Sequence, residues 1–159
     1  MVKEFGMKIE EFYRYLSSFK VPPHRMEFVA EYRGIKFYND SKATNTYATI
    51  KALENFDKVV LILSGIIKEN NLEDFIKIVE KKVEKVVLYG RKIMEKLNFK
   101  NVEVERAFSM DEAVKKAFKS AKSGVVLFSP SGASFDMYRS YKERGEDFKK
   151  AVWRLMENG

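Results

Sequence analysis

The chain has 159 residues, 45% of them apolar with 13 Phe and 8 Tyr, so a sizeable core in one domain is expected and wholesale disorder is excluded. Cysteine is absent, which removes disulfide frameworks and thiolate metal sites. The net charge of +7 comes from 30 basic residues interspersed with 23 acidic ones, the pattern of solvated helix faces rather than of a nucleic-acid-binding stripe.

No apolar run nears the roughly 20 residues needed to span a bilayer. The opening Met1-Val2-Lys3-Glu4-Phe5 lacks the apolar stretch of a secretory signal. A cytoplasmic protein with no membrane and no nucleic-acid partner is therefore expected. The surplus of positive charge still favours phosphorylated ligands.

Apolar Ile9, Phe12, Tyr13 and Leu16 predict a helix over Lys8–Phe19, ended by Val21-Pro22-Pro23. Two extended runs, Glu27–Tyr32 and Ile35–Tyr38, flank Arg33-Gly34 and predict a hairpin. The second run leads straight into Asn39–Asn45, after which Thr44 or Asp40 is placed to cap a helix reaching about Asn55.

Val59–Leu63 is a continuous apolar run, as in a strand covered on both faces, and a helix over about Leu72–Lys82 follows it. Lys85–Tyr89 repeats the pattern with a helix through Leu97. Val102–Glu105 then precedes a helix over Met110–Lys119, opened by a Ser109–Glu112 capping box. Val125–Phe128 leads into the loop Ser129–Ser134 and a charged helix over about Tyr138–Met156. Alternating strands and helices imply one α/β domain with a mostly parallel sheet, helices on both faces and the antiparallel hairpin strand at one edge.

In open parallel sheets ligands bind beyond the carboxyl ends of the strands. Three such loops carry chemistry: Asn39–Asn45, Ser64–Asn70 and Ser129–Asp136. In the first, Asp40 suits a ribose diol, Lys42 is a point charge for phosphate, and Thr44 lies near a helix N-terminus where an anion is favoured. A lysine at that electropositive end is unfavourable unless something negative arrives.

Lys68 repeats the arrangement ahead of the next helix. Ser129-Pro130-Ser131-Gly132-Ala133-Ser134 offers backbone N–H groups for an anion cradle. His24 is the only histidine, and the planar fork of Arg25 beside it suits phosphate. The Gly-x-x-x-x-Gly-Lys-Ser/Thr phosphate loop and the Gly-x-Gly-x-x-Gly fingerprint are both missing. No set of His, Asp and Glu stands at metal-ligand spacing.

Four segments occur in a telling order: His24-Arg25-Met26-Glu27, Asn39–Asn45, Leu127–Asp136 and Glu143-Arg144-Gly145-Glu146-Asp147-Phe148. Together, over about residues 20–155, they resemble the C-terminal domain of a Mur ligase. The run Asp40-Ser41-Lys42-Ala43-Thr44-Asn45 is similar to the member that adds D-glutamate to UDP-N-acetylmuramoyl-L-alanine in peptidoglycan synthesis.

The resemblance implies a Rossmann-like fold for residues 21–159, with residues 1–20 as linker or the end of a central ATPase domain not contained in this sequence. It implies an ATP-dependent, amide-forming ligase that uses Mg²⁺ held mainly by that other domain. It also implies a monomer, and no activity for this part alone.

By the same resemblance, Arg25 and Asp40 contact ATP with His24 as a neighbour, and Lys42 stands beside the reacting centre. Thr44 and Lys68 take the α-carboxylate of D-glutamate. Ser134 and the backbone near Tyr141 take its side-chain carboxylate, and Phe135 forms an apolar wall. Two positions depart from the family pattern. Ile66-Ile67 replaces a Gly- and Asp-rich run before the lysine, and Tyr141 replaces a Phe. The alternatives keep the fold and change the role: a sibling Mur-type or folylpolyglutamate ligase domain, or a stand-alone module for an anionic ligand or RNA.

Overall fold

A computed structural model describes residues 22–159, so the helix expected over Lys8–Phe19 lies outside the described residues. Two left-handed residues, Arg33 (φ 50°) and Gly34 (φ 81°), turn the chain between β1 (Glu27–Tyr32) and β2 (Ile35–Asn39). Tyr32 pairs with Ile35, so the connection is the two-residue, positive-φ turn whose twist matches that of its strands.

The order of the remaining elements is α1 (Thr46–Leu53), β3 (Val59–Ser64), α2 (Glu73–Lys82), β4 (Val83–Tyr89), α3 (Arg91–Lys96), β5 (Glu103–Ala107), α4 (Met110–Ser120), β6 (Val125–Ser131) and α5 (Tyr141–Asn158). Six strands form one sheet in the order β1-β2-β6-β3-β4-β5, parallel throughout except for the antiparallel edge strand β1.

The continuous apolar runs fill both faces of this sheet. Along β3, Val60 and Ile62 join the cluster made with Met110 and Val114 of α4 and Phe148 and Val152 of α5. Leu61 and Leu63 point the other way, to Leu53 of α1, Phe75 and Val79 of α2 and Ile93 of α3. The two-residue period of a strand thus feeds two cores at once.

Several boundaries differ from expectation. Helix α1 is capped by neither Thr44 nor Asp40. Asn45 is the extended residue just before it, and Asn45 Oδ1 accepts from Ala48 N at 2.9 Å. Strand β6 runs on to Ser131 because Ser64 pairs with Ser131 beyond an irregularity after Ile62–Phe128. The extra residue there accommodates Pro130, which has no N–H to give the ladder. At α4, Ser109 Oγ accepts from Glu112 N as expected, whereas Glu112 Oε1 accepts from Phe108 N, one residue outside the usual box. Helix α5 begins at Tyr141, capped by Ser140 Oγ. No helix among the described residues is long and apolar enough to cross a membrane.

Candidate functional site

The carboxyl ends of β2, β6 and β3 lie side by side, so the three loops singled out in the sequence meet there. The loop after β2 is fixed first. Asp40 N donates to Phe128 O at 2.7 Å, Asp40 Oδ1 accepts from Met26 N at 3.0 Å, and Oδ2 accepts from Ser129 Oγ at 2.7 Å. Asp40 is 5% exposed, and that burial pushes its pKa up to about 6 against the pull of Ser129, Met26 N–H and the Arg25 charge.

Lys42 N donates to His24 O at 2.9 Å, so the segment His24–Met26 is tied to the Asp40–Lys42 loop at both ends. His24 and Met26 both hold positive φ, at 70° and 46°. Such strained residues persist only where their surroundings over-determine them, and here they hold Arg25 between them.

His24 is buried. Asn39 Oδ1 accepts from Ser41 N while Asn39 Nδ2 donates to Glu27 Oε1, which fixes the orientation of the amide. Asn39 Nδ2 therefore also donates to His24 Nδ1 at 2.8 Å, and the ring is the neutral tautomer with its proton on Nε2. Burial lowers the His24 pKa in agreement. The ring packs against α5 at Gly145, where a Cβ would stand 2.1 Å from Nδ1.

The other two loops are clipped together. Ile66 N donates to Ala133 O and Ala133 N to Ile66 O, each at 2.9 Å, an isolated antiparallel bridge. Gly65 (φ 95°) makes this approach possible, since a Cβ there would lie 2.4 Å from Ala133 O. Of the two isoleucines ahead of Lys68, Ile67 is buried in the core and Ile66 is exposed.

Arg144 closes the assembly. It is fully buried on α5, with Nε donating to Ser41 Oγ (3.0 Å), Nη2 to Ser41 O (2.8 Å) and Nη1 to Gly132 O (2.8 Å). Ser41 Oγ donates in turn to Tyr141 O at 2.7 Å. Burial lowers the Arg144 pKa to about 10, which leaves the guanidinium charged at neutral pH. One cation thus ties the loop after β2 to the loop after β6 and to the start of α5.

Two adjoining clefts result. Arg25, Asp40 and Lys42 line one of about 350 Å³ that runs along α1, with His24 behind it rather than on its wall. Thr44, Lys68, Ser134, Phe135 and Tyr141 line the other, of about 420 Å³. Asn45 belongs to both, so Lys42 and Lys68 face neighbouring spaces and not one common space. Tyr141 opens α5, where its N–H has no intrahelical acceptor, and it donates to no other described residue. A hollow of about 540 Å³ along β5 contains none of the expected residues.

Sequence reasoning missed Ser41, Glu69 and the role of Arg144. Arg144 had a signal: it stands with Phe148, Ala151 and Val152 at helical spacing, the buried face of α5.

The model of the family described as Mur ligase, glutamate ligase domain, matches residues 24–132. A UDP-N-acetylmuramoylalanine--D-glutamate ligase of Caldicellulosiruptor bescii is 44% identical over 98% of this chain and 35% of its own length. The ligase of the same name from Thermotoga maritima is 43% identical over 95% of the chain and 36% of its own. The chain spans about a third of the length of the curated relatives it matches.

Among solved structures, a bifunctional folylpolyglutamate synthase/dihydrofolate synthase from Yersinia pestis, complexed with AMPPNP and Mn ion, superposes with TM-score 0.55 at 15% identity, over 94% of this chain and 35% of that one. The UDP-N-acetylmuramoylalanyl-D-glutamyl-2,6-diaminopimelate--D-alanyl-D-alanyl ligase of Acinetobacter baumannii gives 0.52 at 16%, over 96% and 33%. These likenesses speak to the fold. With the family match across most of the described residues, the chain belongs to the Mur ligase family, in its glutamate ligase domain.

Proposed function

We propose that this chain is the amino-acid-recruiting and nucleotide-closing part of a longer ATP-dependent ligase that joins D-glutamate to UDP-N-acetylmuramoyl-L-alanine. The observation that carries the reading is the sorting of the candidate residues into two adjoining clefts. The five residues expected for D-glutamate line one, and Arg25 and Asp40, expected at ATP, line the other together with Lys42, expected beside the reacting centre. The names and the 44% and 43% identities of the relatives support it.

In this reading ATP transfers its γ-phosphoryl group to the carboxylate of the UDP-muramoyl substrate and leaves as ADP. The amine of D-glutamate then attacks the acyl carbon. The C–N bond forms, the C–O bond to phosphate breaks, and the amine sheds its proton as phosphate departs. This chain's residues position and neutralise. Arg25 steadies the phosphates, and Asp40 keeps one lone pair per oxygen for the ribose hydroxyls after its bonds to Met26 and Ser129. Lys42 stands toward the reacting centre.

Thr44 and Lys68 hold the α-carboxylate, Ser134 and the Tyr141 N–H hold the other carboxylate, and Phe135 forms the wall. No three His, Cys, Asp or Glu side chains among the described residues gather to hold a metal ion. The Mg²⁺ that accompanies ATP is assigned, on the family resemblance, mainly to the rest of the ligase.

The test is steady-state kinetics of the longer ligase. Lys68→Ala and Ser134→Ala are expected to raise KM for D-glutamate with little change in KM for ATP, and Lys42→Ala to lower kcat by about 100-fold. Unchanged KM for D-glutamate in both cleft variants would remove the reading.

A further inference from the structure

We infer that Glu69 receives the amino group of the amino acid bound beside Lys68, and that it sets the choice between the two enantiomers. The inference rests on the amino-acid cleft proposed above and adds a residue to it. Lys68 and Glu69 are consecutive and line the same cleft, the one cation and the one carboxylate on its wall. Neither forms an ion pair with the other or with any described residue, so two opposite charges stand apart in one space.

The Glu69 carboxylate is held in place. Its Oε2 accepts from Thr46 N at 3.4 Å, while Oε1 accepts nothing among the described residues. The half-buried side chain thus has one oxygen hydrogen-bonded and one unused, on a residue that lines the cleft.

An amino acid at neutral pH carries its ammonium on the carbon that bears the α-carboxylate. A cleft offering that end only Lys68 and hydroxyls would set two cations close together in a partly desolvated space. Glu69 removes that conflict with a charge-assisted hydrogen bond. It also completes a three-point contact. With Lys68 and Thr44 on one carboxylate and Ser134 and the Tyr141 N–H on the other, D- and L-glutamate differ only by exchange of hydrogen and ammonium at Cα. A fixed carboxylate on one side accepts the ammonium of one hand only.

A plainer role exists: α1 has no acid in its own first turn, and Glu69 supplies a negative charge there. The two roles separate on a ligand without an amine. Amide chemical shifts of the chain are followed while D-glutamate, L-glutamate or glutarate is added to the parent, Glu69→Gln and Glu69→Ala.

The parent is expected to bind D-glutamate more tightly than L-glutamate. Glu69→Gln, nearly the same shape, is expected to weaken D-glutamate about tenfold, bring the D/L ratio close to 1, and leave glutarate unweakened. Parallel weakening of D-glutamate and glutarate reduces Glu69 to a helix cap and overturns the inference. So does tighter D-glutamate binding or an unchanged D/L ratio. If the parent binds neither glutamate nor glutarate, the cleft assignment itself falls, and this inference with it. Normal parent binding that Glu69→Gln leaves unaltered sinks this inference alone.

Discussion

Arg144 Nη2 lies 2.8 Å from the carbonyl oxygen of Ser41, 103 residues earlier in the chain, and both groups are buried. That bond, with those to Ser41 Oγ and Gly132 O, makes one guanidinium the shared support of the loops after β2 and β6. Carbonyl and hydroxyl acceptors suit the task because they satisfy the fork without bringing a second buried charge.

Replacing Arg144 by Ala strands the buried oxygens of Ser41 and Gly132. A loss of about 3 kcal/mol is expected in urea unfolding. Lys has the charge but not the fork, so Arg144→Lys is expected to recover less than half of that loss. A variant as stable as the parent contradicts this role.

Gly145 is where α5 leaves room for the His24 ring. A Cβ there meets Nδ1 at 2.1 Å, and displacing the ring breaks its bond with Asn39. Gly145→Ala is expected to cost about 2 kcal/mol despite the better helix propensity of Ala. The size and sign of the change in thermal midpoint check it.

The clip between the loops depends on Gly65 in the same way. Gly65→Ala puts a Cβ 2.4 Å from Ala133 O and forces a residue with φ 95° to carry a side chain. A loss of roughly 2 kcal/mol is expected. Faster hydrogen exchange at Ile66 and Ala133, whose N–H groups make the bridge, is the direct readout.

Asp40 gives the fold a pH dependence of defined sign. Its folded pKa is raised from the usual value to about 6, so the folded state holds this proton more tightly than the unfolded chain does. The stabilisation is fully present below about pH 4 and is lost as pH rises through about 6. The parent is therefore expected to lose about 2 kcal/mol relative to Asp40→Asn between pH 4 and pH 7. Equal slopes for the two proteins contradict the raised value, as does a carboxyl titration near pH 4 by NMR.

The strands were legible because burial on both faces leaves uninterrupted apolar runs, as at Val59–Leu63 and Val125–Phe128. The hairpin was legible because Arg33-Gly34 is flanked on both sides by extended segments. The candidate residues were legible through one rule of parallel sheets, that ligands meet strand ends, joined to the family resemblance.

What stayed hidden is tertiary. The helical spacing of Arg144 with Phe148 and Val152 marks the buried face of α5, but its acceptors, Ser41 and Gly132, are distant in the chain and no spacing points to them. The capping residue was misplaced by one position, because Thr44 and Asn45 are both good caps and the backbone decides between them. The division into two clefts depends on where Asn45 stands, and spacing along the chain does not carry that.

The most direct measurement of the central claim is a crystal structure of the chain grown with D-glutamate. The account predicts density in the cleft of Thr44, Lys68, Ser134 and Tyr141, with one carboxylate on Lys68 and the other on Ser134 Oγ and the Tyr141 N–H. Density for D-glutamate in the Arg25–Lys42 cleft instead, or an empty Lys68 cleft at saturating ligand, contradicts it.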